Sequence, residues 1–444
     1  MNDSQLHYSF PPMSEYVLGN GLRSIWLPDT EQPVIEVLFQ VPSGRAHVPA
    51  GLEGLSDLTA NLMQKGPSSM GHEEYIDTLE QVGASHVLDS GDEHTTFGIR
   101  VLARHADDIV PKFWETVTSP AFDDKEFRRM KREMVTALEA EFSDASVLAN
   151  KHFQAELYGK DHPLGRIPCV NSVKRARLDD VRSFCASHVS PANASIVVAG
   201  DRSIEGMEQQ WKRPFGAWKG GTVRRASPFP ETAPVVENRI RLVDKPDSSQ
   251  TTLVIGHPSV GEAHPFRNAL ALGNYVLGGG SFRSRLMAQM RSRAGKTYGI
   301  ASQLVTGRGA GTFLMSTTTQ SGQVDEVLNT IIEVYRDVTE NGITEEELDN
   351  AKRFAIGNLA FQLEGIGNVA EKILWLRFYG YPNSYIEKYG STIAGIDLAA
   401  VNTALRNALA SRGFVICAVG KREEIAPKLG RFGPIRVVNL RAEP

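Results

Sequence analysis

A chain of 444 residues exceeds what one ordinary hydrophobic core organises, so more than one domain is expected. Its 41% hydrophobic and 23% charged residues are those of a globular protein, and a net charge of −4 supplies no global attraction for nucleic acid or acidic membranes. Three widely spaced cysteines, Cys169, Cys185 and Cys417, exclude a disulfide scaffold and a cysteine-rich zinc site.

The first fifteen residues are polar and aromatic, without the basic segment and apolar core of a secretory leader, and no apolar run reaches the length of a membrane span. A cytoplasmic location is therefore expected, or a periplasmic one if a leader has been removed. Tyr16–Leu18, the Gly19-Asn20-Gly21 turn, Leu22–Leu27 and Pro33–Val41 then read as strands and a turn. Next comes an amphipathic helix over Leu52–Met63, with Leu52, Leu55, Leu58 and Leu62 as its apolar stripe. Its neighbouring face carries Asp57, Ala60 and Asn61 at i, i+3 and i+4. That is the spacing of a His-x-x-Glu-His zinc helix, with every chemical group absent. A helix near Glu73–Val82 and strands near His86–Leu88 and Thr95–Leu102 come after it.

A long helical region opens at Asp123-Asp124-Lys125-Glu126, a helix-start pattern of an oxygen side chain followed three residues on by Glu. Thr344-Glu345-Glu346-Glu347 repeats it 221 positions later. At about that offset Lys131-Arg132 meets Lys352-Arg353, and Tyr158-Gly159 meets Tyr379-Gly380. The apolar strand ending at Gly200 meets the one ending at Gly420. The chain thus reads as a tandem duplication. Residues 1–222 form the first domain, 223–237 a proline-bearing linker, and 238–444 the second domain. The second domain restarts with strands near Arg239–Val243 and Thr251–Gly256, then a helix over Pro265–Leu277. Gly278, Gly279 and Gly280 come next, either as a flexible break or as a place of close backbone approach. Another helix is expected from Ser281 to about Arg293.

This duplicated plan, with the zinc-helix frame early in its first half, resembles the pitrilysin-like M16 metallopeptidases, and most closely the short bacterial branch related to mitochondrial processing peptidase. The resemblance implies an α+β fold of two homologous domains, each an antiparallel sheet flanked by helices, together making half of a clamshell chamber. The family's two zinc-binding His fall on Asp57 and Asn61, its general base on Ala60, and its distal Glu ligand near Leu138, with Glu139 and Glu141 close by. Zinc hydrolysis needs ligands to hold the cation and a base for its water, and Ala60 supplies none. None of the eleven histidines forms a relocated zinc motif. The plainer reading of Asp57 and Asn61 is a polar helix face rather than a site for a hard cation.

Arg291 and Tyr298 match the family's Arg/Tyr pair in spacing, and in related enzymes that pair reaches across the chamber to the zinc site. The resemblance therefore implies a non-catalytic subunit, inactive alone. Its partner would be a homologous subunit carrying His-x-x-Glu-His and the zinc, and its substrates peptides or unfolded segments. Here it would supply Arg291 and Tyr298 to hold substrate and oxyanion. No metal or other cofactor is expected in this chain, and no nucleic-acid or membrane partner. Arg291 also sits among Arg283, Arg285 and Arg293, where a basic helix face is usually solvated charge, and a scaffold subunit without a catalytic task is the alternative.

Overall fold

The computed structural model describes residues 8–221, 229–292, 297–309 and 311–442. Two six-stranded sheets organise it. The first contains β1 (Ser14–Val17), β2 (Arg23–Pro28), β3 (Val34–Val41), β4 (Ser85–Ser90), β5 (Thr95–Leu102) and β6 (Ser195–Gly200), in the spatial order β1-β2-β6-β3-β5-β4. The second contains β7 (Arg239–Asp244), β8 (Gln250–Ser259), β9 (Thr297–Val305), β10 (Gly311–Gln320), β11 (Val415–Gly420) and β12 (Ile435–Asn439), in the order β12-β7-β11-β8-β10-β9. Five strands of each sheet thus correspond one to one, β2 to β7 through β6 to β11, as the duplication requires.

The sheets are antiparallel except where β2 meets β6, and where β7 meets β11 and β12. Parallel pairing needs a long crossover, and the helical stretch between β5 and β6, like that between β10 and β11, provides one. The outermost strand is where the duplication breaks. β1 comes from the start of the chain and runs antiparallel to β2, whereas β12 comes from its end and runs parallel to β7.

Seven helices build the walls of the candidate sites and the contact between the halves: α1 (Leu55–Met63), α2 (Asp124–Ala140), α3 (Ala145–Tyr158), α4 (Arg267–Asn274), α5 (Arg285–Ser292), α6 (Glu345–Gln362) and α7 (Ile366–Tyr379). The expected caps are present. Asp123 accepts the Glu126 N–H, and Thr344 forms a reciprocal capping box with Glu347. α1 starts three residues later than the leucine stripe suggests, because Gly54 adopts a left-handed conformation (φ 97°) immediately before it. α4 ends early in a wider turn over Tyr275–Gly279, and α5 begins at Arg285 rather than Ser281. In the linker, residues 229–237 carry neither helix nor strand, and the stretch before Phe229 lies outside the described residues.

Each sheet is covered on both faces, which explains why its central strands are apolar at successive positions. In β6, Ile196 and Val198 face the core of their own half, with Trp26, Phe39 and Phe113. Val197 and Ala199 face the other way, against Val369, Ala370, Ile373 and Leu374 of α7, a helix of the second half. The second sheet repeats the arrangement. Val415, Cys417 and Val419 of β11 meet Leu148, Ala149 and Phe153 of α3, a helix of the first half. α3 and α7 are the same element in the two repeats, so the halves exchange equivalent helices.

Ile373 is fully buried in the exchanged contact, so Ile373→Ala should cost about 2–5 kcal/mol and shift one cooperative denaturant transition of the whole chain. Separate transitions for the two halves would contradict the exchange. Burial also holds the pKa values of His47, His86 and His257 down to about 4. The unfolded chain takes up these protons first, at about pH 6.5. Stability is therefore complete above that value and falls as pH drops toward about 4, which urea midpoints measured across that range would report.

Candidate functional site

α1 places its three frame positions in three different environments. Asp57 is half-buried, accepts the Ser90 hydroxyl at 2.7 Å, and is pushed above the usual carboxylate range by burial. Ala60 is 2% exposed and belongs to the apolar core. Asn61 is exposed and its amide donates to the Asp57 carbonyl one turn back at 2.8 Å. The convergence expected from the i, i+3, i+4 spacing is therefore partial: a one-residue step rotates Ala60 into the core and Asn61 toward solvent. Leu138 on α2 is also buried in the core.

These positions do not fit zinc. They offer one carboxylate engaged by a hydroxyl, one amide engaged by backbone, and two hydrocarbon side chains, where the metal takes imidazole, thiolate or free carboxylate. Among the described residues no group of three or more His, Cys, Asp or Glu is placed to hold a metal ion. Ser90 and Lys151, which act on Asp57 by hydrogen bond and by charge, have no signal in the sequence. Both are brought to α1 by elements distant in the chain.

The glycine run resolves as a close approach. A Cβ on Gly278 would lie 2.5 Å from the Ser302 hydroxyl oxygen and 2.7 Å from its backbone nitrogen, so only glycine lets this turn press against β9. Gly279 and Gly280 complete the turn, and Gly280 donates its N–H to the Tyr275 carbonyl at 2.7 Å. Ser281 comes next with φ 51°, a left-handed conformation that is costly for a residue with a side chain.

Gly278, Gly279 and Ser281 line a concavity of about 660 Å³ together with β8, β9, β10 and two α3 residues, Ser146 and Asn150. Met287 of α5 lines it too, and Arg291 lies one turn further along α5 on the same side. The arginines of this segment divide. Arg285 is fixed by a bidentate pair with Glu347 (2.7 and 2.6 Å) and by Asp337 (2.7 Å), which raises its pKa. Arg291 is exposed and stacks its guanidinium 4.4 Å from the centre of the Phe282 ring.

Tyr298 belongs to β9, at a bulge where Tyr298 and Gly299 together oppose Thr318. Bulges re-aim side chains and are common beside functional sites. The Tyr298 side chain and Arg293 lie outside the described residues. β9 is an edge strand, and β4 is its counterpart in the first sheet. A second concavity, of about 400 Å³, adjoins β4 and is lined by Gln40, Asp89, Thr96, Glu371, Lys372 and Trp375, among others. Asn150 and Glu371 are 221 positions apart in the chain and line the two concavities from α3 and α7 respectively. The first-half concavity is thus charged and the second-half one neutral.

Comparison with known proteins agrees with this architecture. The model described as Insulinase (Peptidase family M16) matches residues 25–166, and the one described as Peptidase M16 inactive domain matches residues 175–354. The chain belongs to peptidase family M16. Among its relatives is the non-peptidase homolog YmxG of Helicobacter pylori, 24% identical over 358 residues, covering 79% of this chain and 80% of that protein. Another is the uncharacterized zinc protease YmxG of Bacillus subtilis, 22% identical over 357 residues, covering 79% and 85%. A third, an uncharacterized zinc protease of Mycobacterium tuberculosis, is 26% identical over 404 residues, covering 89% and 90%. The crystal structure of a peptidase M16 inactive domain from Pseudomonas fluorescens superposes with TM-score 0.84 at 23% identity, over 92% of this chain and 98% of that one. A Helicobacter pylori protease does so with the same TM-score at 17% identity, over 93% and 100%.

The buried environment of Ala60 makes a direct test. Ala60→Glu should lower stability by several kcal/mol, because it places a carboxylate in the core without a partner. The triple variant Asp57→His, Ala60→Glu, Asn61→His should bind far less than one equivalent of zinc by elemental analysis. Stoichiometric zinc in that variant would contradict the apolar account of the site.

Proposed function

We propose that the chain is the non-catalytic subunit of a heterodimeric M16 peptidase. In this reading a homologous subunit with an intact His-x-x-Glu-His motif holds the zinc, and each subunit forms half of a chamber closing on peptides or unfolded segments. The observation that carries it is the contrast between the halves. The frame on α1 carries neither a zinc-ligand set nor a base, with Ala60 in the core and Asn61 exposed, while the second half has a glycine turn pressed on an edge strand and an exposed Arg291.

Arg291 and Tyr298 would hold the substrate carbonyl and the oxyanion at the partner's zinc, since a guanidinium and a phenol are strong donors to an oxygen gaining charge. Extended peptides would add to an open sheet edge, with main-chain hydrogen bonds for affinity and side-chain pockets for selection. The description of the Helicobacter pylori relative as a non-peptidase homolog supports the absence of activity in the isolated chain.

Reconstitution with the neighbouring M16 subunit of the same organism is the test. The isolated chain should show neither stoichiometric zinc nor peptidase activity, and the mixture should show both, with zinc bound by the partner. Arg291→Ala or Tyr298→Phe should then lower kcat by on the order of a hundredfold while the complex still assembles. Unchanged turnover in both variants would rule out a shared site and leave the scaffold reading.

A further inference from the structure

The two repeats hold one lysine in different ways. In the first half Lys151 of α3 pairs with Glu141, just past the end of α2. The equivalent positions, 221 residues on, are Lys372 of α7 and Gln362, the last residue of α6. The lysine is kept, and a neutral amide stands where its carboxylate would be. Among the described residues the half-buried Lys372 ammonium makes no hydrogen bond or ion pair, and it lies 4.8 Å from the centre of the Trp375 ring. The ring shields the ammonium but offers it no hydrogen-bond acceptor. Burial lowers its pKa and the Arg267 guanidinium adds to the fall, while Glu262 and Glu371 oppose it from a distance. Glu262 is already engaged by Arg267 at 3.0 Å and by the Thr306 hydroxyl. Glu371 is the preceding residue on the helix, and neighbouring helical side chains do not face each other.

Lys372, Gln362 and Trp375 line the concavity of about 400 Å³ beside β4. Its lining supplies a second donor. Thr96 of β5 is 5% exposed, and its hydroxyl oxygen accepts the Gln40 amide N–H at 3.1 Å. That leaves the Thr96 O–H without an acceptor among the described residues. The carboxylates of the same concavity answer neither donor: Asp89 faces His94 at 3.5 Å, and Glu371 is exposed.

We propose that this concavity binds a carboxylate of a bound peptide, either its C-terminal group or an Asp or Glu side chain, held by the Lys372 ammonium and the Thr96 hydroxyl. Its volume is that of a small-ligand pocket and suits one side chain or chain end. Lys372 thereby gains from outside the kind of partner that Glu141 gives Lys151 from within the chain. The first half offers no such site, because its lysine is already occupied. The proposal rests on the peptidase reading only in taking the carboxylate to belong to a peptide, and it is measured without a partner subunit or turnover.

The test is calorimetric titration of the full isolated chain with short acetylated peptides of one apolar sequence. One has a free C-terminal carboxylate, one a C-terminal amide, and one a C-terminal amide with a single internal Glu. A carboxylate-bearing peptide should bind about tenfold more tightly than the neutral one, the effect of one charge-assisted contact. Preference for the free acid names the chain end, and preference for the internal Glu names the side chain. Trp375 is half-buried and the other four of the five tryptophans are buried, so binding should also shift the tryptophan emission. Lys372→Gln should bring the affinity ratio toward one. Gln362→Glu should do the same, because it rebuilds the first half's ion pair and occupies Lys372 without removing it. Equal affinities for all the peptides in wild-type protein, no binding of any, unchanged emission on binding, or a preference that survives either substitution would overturn the proposal. Failure to find a zinc-bearing partner would instead overturn the peptidase reading and leave the carboxylate preference standing.

Discussion

The exchange of α3 and α7 between the halves is the contact on which the rest of the structure depends. A sheet covered on one face only would alternate apolar and polar residues along each strand. Here β2, β6 and β11 are apolar at successive positions because a helix from the other repeat occupies the second face. Each fully buried Ile, Leu or Phe in these contacts contributes about 1.5–3 kcal/mol of transfer free energy, so several such side chains per helix bind the halves far more strongly than the linker does. The linker instead accommodates the exchange. Val235 is buried beside α3, and its carbonyl accepts the Gly413 N–H at 3.1 Å.

The exchange also determines where composite sites arise. Both concavities beside the open edges take one wall from the partner repeat, α3 for the second sheet and α7 for the first. A change in either helix therefore alters a site whose sheet belongs to the other half. Glu93 of the first half adds a polar tie, accepting the Arg308 backbone N–H through both carboxylate oxygens at 3.0 and 2.9 Å. Burial raises its pKa, and the Arg308 N–H and guanidinium oppose that rise.

Much of this architecture is legible in the sequence, and the illegible parts have physical causes. The helix starts at Asp123 and Thr344 are readable because a cap is a local motif, and the duplication is readable because its markers keep their order. β12 is not. Its residues Ile435–Asn439 are exposed or half-exposed, and an edge strand lacks the apolar run that marks β6 or β11. The helix exchange is also invisible, since an apolar strand buried by its own half looks the same as one buried by the other. At the site, spacing places Asp57, Ala60 and Asn61 on adjoining helix positions. It does not reveal that Ala60 meets the core or that Ser90 meets Asp57 from 33 positions away.

The duplication supplies its own control for judging function. Features that both halves keep, such as the capped helix, the exchanged helix and the terminal apolar strand, are what the fold requires. Features found in one half alone need another cause. The glycine turn pressed on β9, the left-handed Ser281 and the bulge at Tyr298 have no counterpart beside β4, where the adjoining concavity carries Asp89, Glu371 and Lys372 instead. A turn that excludes every side chain at Gly278 and places a non-glycine residue in a strained conformation is not the lowest-energy way to join two helices. The turn is therefore a feature of the second half alone that the shared fold does not require, and the exposed Arg291 lies in the helix that follows it. In the first half the frame on α1 is divided, with Ala60 in the core, Asp57 held by Ser90 and Asn61 exposed.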